Sequence, residues 1–444
     1  IPLGPTVPSF PAVRLKLSQW IDQLHARIIR RDRVAIGHYL DALPPVFTSH
    51  AIAAIMTACT VFGEYARDAA PSRWALCFDE LEIAPKWLQA ELFAALRSFD
   101  QKFLLKLTWS PVLPTDLTPH QERHHDYAAI RMWHGHVADA RPFCKEFSTR
   151  FLRERLSTAT VTPADVFGPS PFAQDDTSAD EAYGHGAPVW RAMVQLAQRD
   201  PTFSAYLSTH GISPEDPVAE VSIRDESLRK IKPIVLLRET FLRDVERKAR
   251  SRSRKNPPLY YGEESVYAMS EGNPRLLAGL LNDLLDAEIK PRAESSPLVK
   301  AEIQSRILLS ASQRTLAGIK TYPIQRESRD RSLSDLIEKL GTYLHSELVT
   351  RDFNADPVGS FFVDEDVSQG VVDALALGLL IGAFVHLTSS QGDVPTSVLG
   401  SRIRVSYMLA PTYRLLFRNY RAMRLSTALR ISASSQRLLF FLGE

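Results

Sequence analysis

Two adjacent acidic residues, Asp79 and Glu80, directly follow the short apolar run Trp74–Phe78. A continuous apolar run of this length predicts a parallel strand that is buried on both faces. Ligands of parallel sheets bind outside the carboxyl ends of the strands, which is where the two acids lie. There, Asp79 could hold the Mg²⁺ of a nucleoside triphosphate and Glu80 could orient an attacking water molecule. A strand that simply ends at two solvated acids is the alternative, and this stretch alone leaves both interpretations open.

The residues after Glu80 predict a helix and then a second buried strand. Pro85 suits the first helical position, because its missing N–H costs nothing there. Apolar residues then recur at helical spacing: Leu88, Leu92, Ala95, Leu96 and Phe99. The second strand starts with Phe103–Leu107 and closes with Thr108, Trp109 and Ser110. This order favours an open, mainly parallel sheet, whose carboxyl edge would carry these two hydroxyl groups beside the acids.

A second constellation, Gly272-Asn-Pro-Arg275, precedes the leucine-rich stretch 276–285. Asn273 is a favourable N-cap and Pro274 a favourable first helical residue. Arg275 would then lie in the first helical turn, where its guanidinium could bind a γ-phosphate bidentately. The alternative is a well-capped helix that binds no ligand.

Composition excludes several classes of protein. The 444 residues include 53 basic and 51 acidic side chains, so a nucleic-acid surface has to be local rather than global. Three scattered cysteines are too few for a disulfide framework or a zinc site, which favours the cytoplasm. The most apolar run, Ala374–Val385, is too short to span a bilayer and predicts a core helix.

Positive charge is concentrated near the C-terminus. From Val394 to Gly443 there is no acidic residue. The same stretch contains eight arginines: Arg402, Arg404, Arg414, Arg418, Arg421, Arg424, Arg430 and Arg437. The first five are the candidate contacts to nucleic-acid phosphates, with salt-dependent affinity and little sequence reading. An acidic partner protein is the alternative, and the charge pattern leaves both open.

One expected motif is missing from the sequence. A phosphate-binding P-loop, GxxxxGK followed by Ser or Thr, should precede Asp79 on an earlier strand. The sequence contains no Gly-Lys dipeptide. Either the phosphate cradle has been lost or the printed chain begins after it. We expect the second, because the other motifs are present.

The motifs together resemble those of AAA+ ATPases. Asp79-Glu80, the polar residues 108–110 and Gly272–Arg275 look like Walker B, sensor 1 and sensor 2. The helix start at Asn273 is most similar to origin-recognition (ORC) type initiator ATPases and to STAND-like signalling ATPases. Within that group the chain resembles the bacterial ORC-type ATPases of phage-defence loci. Three further stretches fit this subgroup: 230–239, 260–262 and 404–411.

The resemblance implies a role for each site residue, with ATP and Mg²⁺ as cofactors. Asp79 would act on the Mg²⁺ through water and Glu80 on the attacking water. Thr108 or Ser110 would sense the γ-phosphate from the sheet, and Arg275 would sense it from the lid. Relative movement of lid and core would then report ATP versus ADP.

The expected fold is an α/β AAA+ core of the P-loop type with a parallel sheet, an α-helical lid and a C-terminal winged-helix-like α+β domain. The core is predicted at residues 1–156 and the lid at 157–292, with a long loop at 161–188. A connector helix and linker follow at 293–330, and the winged-helix-like domain at 331–444.

The expected function is an ATP-dependent switch that controls assembly and recognition of nucleic acid or of a phage component in a bacterial defence system. A homo-oligomer or a complex with an effector protein, away from membranes, is expected. Arg123 is the candidate arginine finger toward a neighbouring subunit, with an ordinary surface arginine as the alternative. The alternative function is a nucleotide-bound or degenerate scaffold that binds a protein effector without touching DNA.

Overall fold

A computed structural model describes ten ranges of the chain and a few single positions. The ranges are 51–65, 73–96, 102–110, 132–172, 187–213, 221–242, 258–286, 298–321, 333–387 and 397–432. The single positions lie between 18 and 30, at 128 and 130, and at 215–216. The chain divides into two compact units, residues 1–128 and 129–444.

The first unit contains the predicted strand–helix–strand segment. Its described elements are α1 (Ala51–Tyr65), β1 (Trp74–Phe78), a 3-10 turn (Leu81–Ile83), α2 (Lys86–Ala95) and β2 (Phe103–Leu107). The two strands are parallel and pair without offset, from Trp74 opposite Phe103 to Phe78 opposite Leu107. Both strands therefore end at the same level, which brings the residues after them side by side.

One face of this two-stranded sheet is covered and the other is exposed. Leu81 and Leu92 are fully buried beneath the covered face. Cys77 and Leu104 lie on the opposite face, where both are exposed. In the described part of the unit, the expectation of a strand buried on both faces is therefore wrong. The side chains of β1 alternate between half-buried and exposed, because the described helix and turn pack on one face of the pair.

The second unit combines a helical region with a C-terminal sheet. Its helices are α3 (Val137–Leu156), α4 (Pro163–Phe167), α5 (Pro188–Arg199), α6 (Pro201–Thr209), α7 (Val221–Phe241), α8 (Glu263–Ser270), α9 (Pro274–Leu285), α10 (Ala301–Thr321), α11 (Leu333–His345), α12 (Gln369–Leu380) and α13 (Ala410–Tyr413). Its strands are β3 (Val358–Phe362), β4 (Phe384–Leu387), β5 (Arg402–Val405) and β6 (Arg421–Arg424). A π-helical turn, Ser346–Thr350, extends α11, and residues 425–432 are helical after β6.

One hydrophobic cluster joins the helical region to the C-terminal region. The leucines of α9 recur at helical spacing on the buried face, as the pattern predicted, and pack with α3, α8 and α10. Met408, which lies after β5, belongs to the same cluster, and Phe417 packs against it. The helical region and the C-terminal region therefore share a core.

The C-terminal sheet has the strand order β4-β5-β3-β6. β4 and β5 form an antiparallel pair, β3 is antiparallel to β5, and β3 is parallel to β6. Between β3 and β4 the described chain contains a single helix, α12. In the described part of the chain, β4 and β6 are therefore the edge strands of this sheet, with β5 and β3 between them.

Two sequence-based boundaries differ from the structure. The predicted loop at 161–188 contains α4, because Thr162 and Asp165 form a reciprocal capping box with Pro163 at the first helical position. Residues 173–186 of that loop lie outside the described part. Helix α2 begins at Lys86, so Pro85 is the N-cap rather than the first helical residue.

The apolar run 374–385, which predicted a core helix, belongs to a helix and a following strand. α12 ends at Leu380, and β4 begins at Phe384. Gly382 has a φ of +74°, which suits glycine and turns the chain between them. A similar difference concerns α3, which was assigned to the core but lies in the second unit, packed on α8 and α9.

Helices that are both long and apolar enough to cross a membrane do not occur in the described part of the chain.

Candidate functional site

Asp79 and Thr108 meet at the carboxyl edge of the β1–β2 pair. The Thr108 hydroxyl donates a short hydrogen bond to Oδ1 of Asp79. The backbone continues the pairing, because Thr108 N donates to Phe78 O over 2.9 Å. The strand register thus delivers a carboxylate and a hydroxyl to the same point, as the sequence predicted. Ser110 lies two residues further along and is half-buried.

Glu80 lies at a sharp turn. Its φ of 53° and ψ of 47° are left-handed, which is uncommon for a residue other than glycine. Its N–H is 3.0 Å from Asp79 Oδ1 and 3.0 Å from Thr108 Oγ1. Both oxygens therefore accept from this amide, which holds the turn in place. The turn leaves the Glu80 side chain exposed.

A buried amide supports this turn from beneath. Gln89 on α2 is 7% exposed, and its Nε2 donates to the carbonyls of Leu81 (2.9 Å) and Ala84 (2.8 Å). These carbonyls belong to the 3-10 turn that follows Glu80. Because buried carbonyls without partners are costly, Gln89 fixes the route of the chain from β1 to α2. Sequence reasoning missed this residue, since a lone glutamine within a helix carries no pattern.

The second predicted motif forms the start of α9. Asn273 Oδ1 accepts from the N–H groups of Arg275 (2.9 Å) and Leu276 (3.2 Å), and Pro274 is the first helical residue. The predicted cap is therefore confirmed. Arg275 lies in the first turn with its side chain exposed. Gly272 precedes the cap with a φ of +76°, and an added Cβ there would lie 2.5 Å from His134 Cδ2.

Glu271 connects this motif to the C-terminal sheet. Its Oε1 accepts from Arg404 Nη1 over 2.5 Å and from Tyr407 N over 2.6 Å. Arg404, on β5, is 1% exposed, and its Cζ lies 3.8 Å from the centre of the Tyr407 ring. Burial disfavours the charged guanidinium, but the Glu271 carboxylate outweighs this and raises the pKa of Arg404. Burial also raises the pKa of Tyr407, to about 12.

The burial of Arg404 corrects one sequence-based expectation. The basic stretch predicted that both Arg402 and Arg404 contact nucleic-acid phosphates. Instead Arg404 is enclosed with Glu271 and cannot contact a nucleic acid in this structure. Residue type alone indicated solvent, because the acidic partner lies 133 residues away in the sequence.

Arg402 and Arg414 are half-buried and have partners within the chain. Arg402 donates from Nε to Ser360 Oγ (2.9 Å) and from Nη2 to Tyr420 O (2.6 Å). The Cζ atom of Arg414 lies 4.7 Å from the centre of the Phe241 ring. Arg402 thus links β5 to β3 and to the residue before β6, and Arg414 links the end of α13 to the end of α7.

Arg418 and Arg421 are exposed and remain available at the surface. The Cζ atom of Arg418 lies 5.7 Å from the centre of the Tyr420 ring. Arg421 opens β6, is 45% exposed, donates from Nε to Asp356 O over 2.9 Å, and lies with its Nη2 3.9 Å from Glu347 Oε2. The candidate arginine finger, Arg123, lies outside the described residues.

The donor set fits Mg²⁺ bound together with phosphates rather than a metal site made by protein alone. In the described part of the chain, no group of three or more His, Cys, Asp or Glu side chains could hold a metal ion. Mg²⁺ usually takes one or two carboxylates, with phosphate oxygens and water as its other ligands. An exposed carboxylate at the end of a strand, such as Asp79, meets that requirement.

A family model described as ORC-CDC6-like matches residues 3–425. Neither the comparison with curated proteins nor that with solved structures found a match. ORC/CDC6-type AAA+ proteins generally bind ATP with Mg²⁺, act as nucleotide-dependent switches and usually assemble into oligomers. The Walker B-like, sensor 1-like and sensor 2-like residues described above are the features expected of such proteins. With nearly its whole length matched, the chain belongs to the ORC-CDC6-like family.

Proposed function

We propose that this chain is an ATP-dependent switch whose nucleotide site uses Asp79, Glu80, Thr108 and Arg275. The observation that carries the proposal is the hydrogen bond from Thr108 to Asp79 at the aligned ends of β1 and β2. It joins an acidic residue and a polar residue from adjacent strands at the edge where ligands of parallel sheets bind. The family membership supplies the ligand class.

Each residue has a distinct task in this proposal. Asp79 holds the hydrated Mg²⁺, which neutralises phosphate charge when it is bound. Glu80, exposed at its turn, orients the attacking water. Thr108 is the sensor 1 residue in preference to Ser110, because the Thr108 hydroxyl contacts Asp79. Arg275 binds the terminal phosphate from the start of α9.

The proposed output is nucleic-acid binding through the exposed arginines of the C-terminal region. Arg418 and Arg421 support this, because they are exposed in a stretch without acidic residues. Such a surface binds phosphates with salt-dependent affinity and reads little sequence. The proposed setting is a bacterial defence system, as the resemblance to ORC-type ATPases of phage-defence loci implies.

ATP binding and phosphate release test the proposal. They should be measured on this chain and on the product of its full reading frame, since the sequence contains no Gly-Lys dipeptide. Glu80→Gln should keep ATP binding and lower turnover by roughly 100-fold, because general-base positioning is lost. Arg275→Ala should weaken ATP more than ADP. The matched controls Glu365→Gln and Arg306→Ala, at exposed positions of the second unit, should change neither quantity.

Failure of both proteins to bind ATP would overturn the proposal and favour the scaffold alternative. Turnover that survives Glu80→Gln would remove Glu80 from its assigned task.

A further inference from the structure

We infer that Arg404 is a positioning residue for the phosphate-binding arginine Arg275, and that it joins the α8–α9 turn and the C-terminal sheet into one rigid body. The inference deepens the proposed function and rests on it for the role of Arg275. It assigns a task to a buried arginine whose sequence pattern predicted solvent.

The first support is the conformation of Glu271. Its φ of 54° is left-handed, where a residue other than glycine is strained. Glycine would adopt this conformation more easily. A glutamate at this position has a use that glycine lacks, because its carboxylate accepts hydrogen bonds from Arg404 and from Tyr407 N at once. The strained turn is thus held from the C-terminal sheet.

The second support is how tightly the turn leads from Glu271 to Arg275. Ser270 O accepts from Asn273 N over 2.8 Å, and Gly272 packs against His134. Asn273 then caps the helix by accepting from Arg275 N. Only three residues separate Glu271 from Arg275. A displacement of Glu271 therefore changes the direction of the first turn of α9.

The third support is that the Arg404 contacts continue beyond the pair. The Tyr407 hydroxyl donates to Asn419 Oδ1 over 2.8 Å. Asn419 Nδ2 lies 3.0 Å from Gly135 O and 3.0 Å from His136 Nδ1. The same cluster therefore reaches the segment that leads into α3. The turn therefore lies between this segment and the sheet. Glu271 makes the polar contacts to the sheet, and Gly272 packs against His134 of the segment.

A second buried ion pair lies within the helical region, and its arginine makes a further contact to the C-terminal region. Arg238 on α7 is 2.5 Å from Asp200, with both side chains less than 5% exposed. Arg238 Nη1 also donates to Leu348 O, in the π-helical turn after α11, over 3.2 Å. Two separate contacts made by buried arginines, Arg404 to Glu271 and Arg238 to Leu348 O, therefore oppose rotation of one region against the other, where a single contact would act as a pivot.

The energetics also favour a positioning role over simple stabilisation. Burying an ion pair costs desolvation that its attraction often only balances, so an apolar pair of similar volume can be equally stable. What the pair adds is directional: the guanidinium, the carboxylate and the Tyr407 amide fit together in one geometry. The pair therefore fixes the position of the backbone from which the Arg275 side chain extends.

Hydrogen exchange and nucleotide affinity on the full chain test the inference. Arg404→Met should speed exchange of the backbone amides of 271–277 at least tenfold without nucleotide. It should also weaken Mg-ATP binding about tenfold while leaving Mg-ADP within twofold, because only ATP meets Arg275. Arg404→Lys should restore part of both effects. The control Arg306→Met, an exposed arginine of the same unit, should match wild type.

The double variant Glu271→Met/Arg404→Met guards against a folding defect, because it leaves no buried charge unpaired. It should fold like wild type and still lose the preference for ATP. Wild-type exchange and wild-type ATP preference in Arg404→Met would overturn the inference. If wild type binds no ATP, the proposed function fails, and unchanged exchange in Arg404→Met would then separately overturn the coupling.

Discussion

Glu271 Oε1 lies 2.5 Å from Arg404 Nη1, although 133 residues separate the two in the sequence. The carboxylate immediately precedes the capped helix that carries Arg275, and the guanidinium belongs to β5 of the C-terminal sheet. Residues that the sequence assigned to two different domains therefore share a buried contact. The Glu271 carboxylate thus links the turn before α9 directly to β5.

Gly272→Ala tests how tightly the turn beside Glu271 is packed. The new Cβ would lie 2.5 Å from His134 Cδ2, at a φ that strains any residue with a Cβ. We expect the free energy of unfolding to fall by about 2 kcal/mol in urea denaturation. Gly279→Ala, in α9 with no atom within 4 Å of its Cβ, should instead raise it by about 0.5–1 kcal/mol. Equal effects of the two substitutions would contradict this account of the turn.

Thr108→Val tests the assignment of sensor 1. The substitution keeps the side-chain shape but removes the hydroxyl that donates to Asp79. A hydrogen bond to a charged group contributes about 1.5–3 kcal/mol, so turnover should fall about tenfold or more while ATP affinity changes little. Single-turnover phosphate release measures this. Ser110→Ala should have a smaller effect, and the reverse order would move the assignment to Ser110.

Acid unfolding should depend on Asp200. Burial alone would raise the pKa of this carboxyl, but hydrogen bonds from Arg238 and Thr202 outweigh it and hold the pKa below its ordinary value. The resulting stability is fully present above the unfolded-state pKa of about 3.9 and is lost as pH falls through the lower folded value. Asp200→Asn should therefore flatten the fall in unfolding free energy below pH 4.

At pH 7 the same substitution should cost about 3 kcal/mol, because it leaves Arg238 buried without its carboxylate. Asp366→Asn is the matched control, since its pair with Arg430 is exposed and contributes about 0–1 kcal/mol. Chemical denaturation across pH distinguishes the two. An acid response of Asp200→Asn identical to that of wild type would show that Asp200 does not carry this pH dependence.

Arg421→Ala should weaken binding to a random-sequence DNA duplex. Loss of one phosphate contact reduces the slope of log affinity against log salt by about 1. Fluorescence anisotropy between about 50 and 200 mM salt measures the slope. Arg150→Ala, at an 80% exposed arginine of α3, should leave it unchanged. A slope that is the same in wild type and Arg421→Ala would place the duplex elsewhere or exclude it.

Local patterns predicted the elements that carry the motifs. The apolar runs predicted β1 and the start of β2, although β2 ends at Leu107 rather than at Ser110. Asn273-Pro274 predicted the start of α9, because each of these signals depends on neighbours in sequence. Helix and strand could not be separated in the long apolar run around Ala374–Val385, since burial removes the periodicity that distinguishes them. The break became visible only from Gly382 and its positive φ.

Long-range contacts account for most of the remaining misses. Arg404 fits an outward position by alternation, and only its contact with Glu271 reverses that interpretation. No local sequence pattern marks Gln89. Its role is visible only in the structure, where its side-chain amide donates to two carbonyls of the turn after Glu80. For the same reason, the sequence could not distinguish the exposed Arg418 from Arg402, which has partners within the chain, because both are arginines of one basic stretch.

The contact between Glu271 and Arg404 also has a consequence for how the chain can be divided. A fragment cut near residue 330 would retain Glu271 in its strained turn but lose the guanidinium that neutralises it, and Met408 would leave the shared hydrophobic cluster. The complementary fragment would expose an arginine that has no other carboxylate beside it. We therefore expect a cut at this position to destabilise both fragments, because the α8–α9 region and the sheet share this cluster and this ion pair.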